Sequence, residues 1–259
     1  MIINGAGLHV EDTGGSLPAV VFSHGLLWSA RMWRFQIEAL RGRCRCIAYD
    51  HRGQGRSETT ASGYDMDSLS LDAAALIEKL GVAPVHFVGL SMGGFVGMRL
   101  GARRPELIKT LALIETAPDG EPLLNVPKYT LMSALTRVVG LRPFLPTVMK
   151  IMFGRTFLGD PSRAALRQEM SEELLGIDLR GMRRELDGVI FRKPFTETVR
   201  VPTVVISGEE DAAVVPARSR KLLDLIPSAR FVSVPAAGHT SSIEAPAAIT
   251  QALLNHFGS

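Results

Sequence analysis

The chain has 259 residues, enough to bury a large core in one α/β domain or in one domain carrying an insertion. Hydrophobic residues at 46% and charged residues at 21% are ordinary for a soluble globular protein, and no apolar run reaches the ~18–20 residues that span a bilayer. The net charge is +3, from 29 basic and 26 acidic residues with no basic block, which argues against a nucleic-acid-binding stripe.

The opening "MIINGAGLHVEDTGG" has neither a basic leader nor an apolar core, so no secretory signal is expected. The expectation is a cytoplasmic protein with no membrane partner. "AVVFSHG" (19–25) is a short apolar run that predicts a buried strand ending at His24 and Gly25. "MWRFQIEAL" (32–40) has helical spacing, and "CRCIAYD" (44–50) predicts another strand. Cys44 and Cys46, two apart on a strand, share a face and cannot easily close a disulfide. They read as small core-filling thiols; the sequence positions no further ligand beside them, so no metal is expected. "DSLSLDAAALIEKLG" from Asp67 puts Leu69, Ala73, Leu76, Ile77 and Leu80 on one helical face, with Gly81 as the stop. "VHFVGL" (85–90) predicts a strand, "MGGFVGMRLGARR" (92–104) a helix and "TLALIET" (110–116) a strand. Strands alternating with helices predict an α/β fold with a mostly parallel sheet covered on both faces.

That rhythm stops near Pro118. Up to about Arg200 the chain is rich in Leu, Met, Arg and Glu, and "MSALTRVVG", "PTVMKIMFG" and "PSRAALRQEMSEELLG" predict helices punctuated by Pro and Gly. Between Lys128 and Arg200 there are 13 basic and 8 acidic residues, a scattered excess read as solvated helix faces, some of which could meet an anionic substrate. Sheet signals resume in "TVVISGEED" (203–211) and "RFVSVPAAGH" (230–239), and "APAAITQALLNHF" (245–257) predicts a closing helix. The expected organisation is a core of residues 1–118 and 201–259 with a helical lid, 119–200, inserted between its halves.

Ser91, in "VGLSMGGFVG" (88–97), follows a predicted strand and opens a predicted helix. A turn that sharp strains the central residue and brings its neighbours together, and glycine at 89 and 93 relieves the crowding. The turn holds a hydroxyl at the carboxyl end of the sheet, where open α/β sheets bind ligands. Met92 N–H opens the helix and is free to donate to an oxyanion. A serine needs a base, and the base an orienting acid. His239, in a loop after the last strand, and His24 and His51, at strand ends, are placed for this; His9, His86 and His256 read as packing or surface residues. Glu209, Glu210 and Asp211 supply acids at another strand end.

The chain resembles the α/β-hydrolase family in "SHGLL" (23–27), "DHRGQGRS" (50–57), "GLSMGG" (89–94), "SGEEDAAVVP" (207–216) and "AAGHTSSIEAP" (236–246). The resemblance implies Ser91 as nucleophile, Asp211 as acid with Glu210 as runner-up, and His239 as base. It also implies Leu26 N–H as the second oxyanion donor beside Met92, with His24, Asp50 and Arg52 in structural roles. Trp28 and the Met/Phe-rich insertion are candidates for lining an acyl or alcohol pocket, with core packing an equal account of them. Serine rather than aspartate at the turn implies attack on an acyl carbon, and no cofactor. The expected activity is hydrolysis of a small to medium carboxylic ester or lactone. The segment 24–40 and the elbow look closest to esterase, perhydrolase and enol-lactonase groups. Carbon–carbon hydrolysis of diketone-like substrates and perhydrolysis are the alternatives on the same residues. A small-molecule receptor of this fold is the alternative from another class, and a large exposed apolar patch on residues 119–200 would favour it.

Overall fold

Apolar runs without polar alternation become the central strands. In the computed structural model, which describes residues 1–258, a short hairpin of β1 (Ile2–Ile3) and β2 (Ala6–Gly7) precedes a seven-stranded sheet. Its strands are β3 (Val10–Asp12), β4 (Ala19–Ser23), β5 (Arg45–Tyr49), β6 (Val85–Leu90), β7 (Ile108–Ile114), β8 (Thr203–Gly208) and β9 (Arg230–Val234). They lie in the order β3-β5-β4-β6-β7-β8-β9, and only β3 runs antiparallel to its neighbour. Every residue of β4, β6 and β8 is buried, as expected of parallel strands covered on both faces.

The helices that cover the first half are α1 (Arg34–Leu40), α2 (Met66–Leu80) and α3 (Met92–Arg103). Alternate strand residues face opposite layers. Val21, Phe87 and Leu111 pack with Leu69 and Leu76 of α2 and Val96 of α3; Val20, Phe22 and Val88 pack with Trp33, Leu40 and the C-terminal helix. Asp65 caps α2 by accepting from Ser68 N–H, and Gly81 ends it at φ 63°.

Between β7 and β8 lie α4 (Val126–Val139), α5 (Leu145–Met152), α6 (Arg155–Gly159), α7 (Ala164–Leu175) and α8 (Leu179–Ile190), with no strand among them. The chain finishes with α9 (Pro216–Arg220), α10 (Leu222–Leu225), α11 (Ser241–Glu244) and α12 (Pro246–Phe257). No helix among the described residues is long and apolar enough to cross a membrane. Cys44 and Cys46 are buried free thiols.

Helix α8 has no counterpart among the segments expected from sequence, and it carries two glycines, Gly181 and Gly188. Their role is close approach. A β-carbon on Gly181 would collide with the carbonyl of Gly53, and one on Gly188 with the carbonyl of Tyr64. The bare backbone of α8 therefore lies directly on the loop that follows β5. Gly181→Ala should destabilise the protein by about 1–3 kcal/mol in urea unfolding, although alanine is the better helix former. Equal or higher stability would show that α8 is not seated there.

Candidate active site

Ser91 sits where β6 turns into α3, with φ 53° and ψ −110°, a left-handed conformation that non-glycine residues adopt only under constraint. Three hydrogen bonds hold it. Its N–H donates to Ile114 O at 2.8 Å, and its carbonyl accepts from Thr116 Oγ1 at 3.0 Å and from Phe95 N–H at 3.1 Å. The two glycines act differently from the mutual relief expected. A β-carbon on Gly89 would collide with the Gly93 carbonyl, but one on Gly93 would strike the carbonyl of Ser23 at the end of β4. Gly93 thus lets α3 lie against β4, and the loop after β4 arrives beside the serine.

In that loop Gly25 abuts Ser91, Leu27 has φ 74°, and Leu27 N–H donates to Gln54 Oε1 at 2.7 Å. Leu26 N–H makes no hydrogen bond among the described residues, and Met92, the first residue of α3, has no partner within its helix. His24 is fully buried: its Nδ1 is placed to donate to Gly25 O at 2.8 Å, and its Nε2 accepts from His51 N–H at 2.9 Å. Both nitrogens are used in holding loops, and burial lowers its pKa below that of an ordinary imidazole. His51 bonds Ser23 Oγ at 2.9 Å in the same buried layer.

His239 Nδ1 meets Asp211 Oδ2 at 2.8 Å, with both side chains buried. The other carboxylate oxygen of Asp211 accepts from Ala213 and Val214 N–H at 2.8 and 2.9 Å. Glu210, the runner-up acid, turns away to Thr156 and Arg155 of α6, and Glu209 accepts from Ser233 Oγ. Ser91 and His239 line one cavity of about 110 Å³, walled by Leu26, Phe95, Met132, Val148, Met152 and Leu186 among others. Trp28 is not on that wall. Its ring is buried edge-on to Phe153 with centroids 5.8 Å apart, so core packing is the account that fits it. No group of three or more metal-ligating side chains exists among the described residues.

A profile of the alpha/beta hydrolase fold matches residues 18–246. The Mycobacterium tuberculosis protein BpoC, provisionally named a non-heme bromoperoxidase, is 30% identical over 254 residues, 96% of this chain and 97% of its own. The crystal structure of the enol-lactonase from Burkholderia xenovorans LB400 superposes with a TM-score of 0.91 at 30% identity, covering 99% of this chain and 98% of that one. A thermophilic esterase from Thermogutta terrifontis gives 0.87 at 26% identity, covering 96% and 92%. The chain belongs to the α/β-hydrolase family. It is an enzyme of that class.

Within this α/β hydrolase, three polar residues near the cavity escaped the sequence analysis. Gln54 ties the loop after β5 to Leu27, whereas Arg52 turns away to Asp72 in a bidentate pair at 2.6 and 2.7 Å. Asp50 does anchor the adjoining loops, accepting from Ala30 and Arg56 N–H. Glu115 is fully buried beside Asp211 and accepts from Gly208 N–H with both oxygens. Burial, and then the charge of Asp211, push it well above the usual carboxylate range. Glu244 accepts from Gly238 and Thr240 N–H on either side of His239, at 3.0 and 3.2 Å, and from Gly154 N–H, just before α6, at 2.9 Å. The signal in the sequence was "HTSSIEAP" itself, but nothing local says which backbone a glutamate five residues beyond the histidine will reach.

Burial pushes the Glu244 carboxyl up to about 7, against the three N–H groups that favour its ionised form. Between about pH 4.5 and 7 the folded chain therefore retains a proton that the unfolded chain sheds. That contribution to stability is complete below the unfolded value and is lost as pH rises through 7. The stability of the wild type relative to Glu244→Gln should fall as pH rises from about 5 to 8, by roughly 3 kcal/mol at most. A pH-independent difference in unfolding free energy would contradict this.

Proposed function

We propose that the protein is a serine hydrolase that cleaves a carboxylic ester or lactone through an acyl-enzyme on Ser91. The observation that carries the reading is the buried 2.8 Å contact of His239 with Asp211, reached from the same cavity wall as the strained serine. With Nδ1–H donated to Asp211, the imidazole keeps its Nε2 lone pair for the serine proton. Ser91 Oγ then attacks the substrate carbonyl carbon. The carbonyl oxygen becomes an oxyanion that takes the Leu26 and Met92 N–H groups. The imidazolium, stabilised by the Asp211 carboxylate, returns its proton to the leaving alkoxide. Water repeats the sequence to free the acid. Residues 119–200 serve as the lid, since α4, α5 and α8 supply most of the cavity wall.

Cavity size and charge narrow the substrate. A volume of about 110 Å³ is a little below that of an engineered apolar cavity of ~150 Å³ that takes up benzene, so it suits an acyl group of roughly four to six carbons. The wall contains one cation, Arg192, which Glu121 faces at 3.6 Å and the Phe95 ring covers at 4.0 Å. That guanidinium is already neutralised, which supports an uncharged acyl chain over one ending in a carboxylate. The bromoperoxidase name of BpoC supports a second acceptor, hydrogen peroxide in place of water at the acyl-enzyme. Peracid formation with peroxide present would register it.

Ser91→Ala should lower kcat on p-nitrophenyl butyrate by roughly five orders of magnitude while leaving the unfolding midpoint nearly unchanged. A fully active variant would require another nucleophile.

A further inference from the structure

The outer side of α4 is unlike the rest of the surface. Twelve large apolar side chains are exposed among the described residues, and six of them, Leu123, Leu124, Leu131, Leu135, Val138 and Val139, lie on α4 and the turn before it. Leu123, Leu124 and Val138 are 86%, 93% and 84% exposed, so little of their surface is covered by the chain itself. Residues 131, 135 and 138 form one stripe at helical spacing. Met132, Ser133 and Thr136, on the other side, line the active-site cavity. The helix is thus apolar on both sides while packed on one, and monomeric soluble proteins rarely leave such a patch without a partner.

Charge identifies the partner. From residue 122 to residue 159 the chain has five basic residues, Lys128, Arg137, Arg142, Lys150 and Arg155, and no Asp or Glu. Of these only Arg155 forms an ion pair among the described residues, with Glu210. Arg137, at the end of α4, joins Arg180, Arg183 and Arg184 around a surface cleft of about 250 Å³ whose single acid is Asp187. Arg180 pairs with Asp178 at 3.8 Å, but Lys128, Arg137, Arg142 and Lys150 have no ion pair among the described residues. Exposed aliphatic side chains beside such cations suit the boundary between the headgroups and acyl chains of an anionic bilayer. A second copy fits poorly. Two-fold pairing of this face would bring two arginine clusters into one interface with few carboxylates on the same face to offset them.

We propose that α4 and its basic rim dock the protein on an anionic lipid surface. The expectation of no membrane partner rested on the lack of a spanning segment, and surface docking needs none. It would place the outer side of a cavity wall in the lipid phase, where apolar esters partition. The same patch is the feature that would favour a receptor, but it calls for a surface to cover it and leaves the residues at Ser91 and His239 untouched.

The test is co-sedimentation of the full chain with phosphatidylcholine vesicles made with and without phosphatidylglycerol. Ser91→Ala serves as the binding form, so that docking is read independently of hydrolysis. Binding is expected with phosphatidylglycerol and not without it. Arg137→Gln and Arg142→Gln should each lower the partition coefficient about fivefold. Leu131→Glu with Val138→Glu should lower it tenfold or more, while the otherwise wild-type chain carrying that pair keeps its rate on a soluble short ester. The proposal is overturned if the folded chain ignores anionic vesicles or if binding is indifferent to these substitutions. It is also overturned if light scattering finds a dimer that the double variant splits, which would assign the face to a second copy.

Discussion

Much of this molecule follows from one crowded junction, where β6 ends, α3 begins and β4 passes alongside. Ser91 occupies a backbone conformation that costs of order 1–3 kcal/mol, and it is held there by hydrogen bonds to Ile114, Thr116 and Phe95. The strain persists because β4 and β6 are fully buried, and β7 is buried except at Lys109, so the surrounding strands cannot yield separately. Gly93 lets α3 approach the carbonyl of Ser23. That approach fixes where the loop from Gly25 to Leu27 must lie. The strand order reverses at the same place, since β4 leads to β5 on one side and has β6 on the other. Loops therefore diverge there and leave a crevice.

The loops around that crevice are fastened by buried polar side chains. Asp50 holds Ala30 and Arg56, Gln54 holds Leu27, and Glu244 holds both neighbours of His239. Each accepts backbone N–H groups that would otherwise be orphaned in a dry interior, at a cost of about 1–3 kcal/mol apiece. Glu244 also reaches Gly154, and Thr240 donates to Met152 O through both its N–H and its hydroxyl. Met152 lines the cavity. The strap that shapes the pocket and the loop that carries the imidazole are thus joined in one hydrogen-bonded unit. Glu210 adds a tie from α6 to the loop carrying Asp211.

How legible a feature was depended on whether its cause was local. The strands and α2 were readable because hydrophobic period and caps are properties of neighbouring residues. The serine was readable because glycines two positions away reflect the turn, though the contact that demands Gly93 comes from a strand some seventy residues earlier. Asp211 and Glu210 are adjacent and chemically alike; composition does not separate them, the family resemblance favoured Asp211, and the fold turns it to His239 and Glu210 to α6. Trp28 had the size and position of a pocket residue, yet it is buried edge-on against Phe153 and is not among the cavity's lining residues. In α8, glycines that break helices in isolation are the condition for its docking.

The sequence by itself determined the layered architecture, the strand–turn–helix at Ser91 and the excess of cations between Lys128 and Arg200. These follow from periodicity, steric demand at a turn and composition, all written in short stretches of chain. Tertiary structure alone decided which side chains wall the cavity and which face of α4 is left to solvent, and it is the fold that brings to the histidine the acid that only family resemblance had implied. Those outcomes depend on residues brought together across 28, 90 or more positions, as in Asp211 with His239 and Gly154 with Glu244. Contact at such distances is fixed by how the layers pack, and no local pattern encodes it.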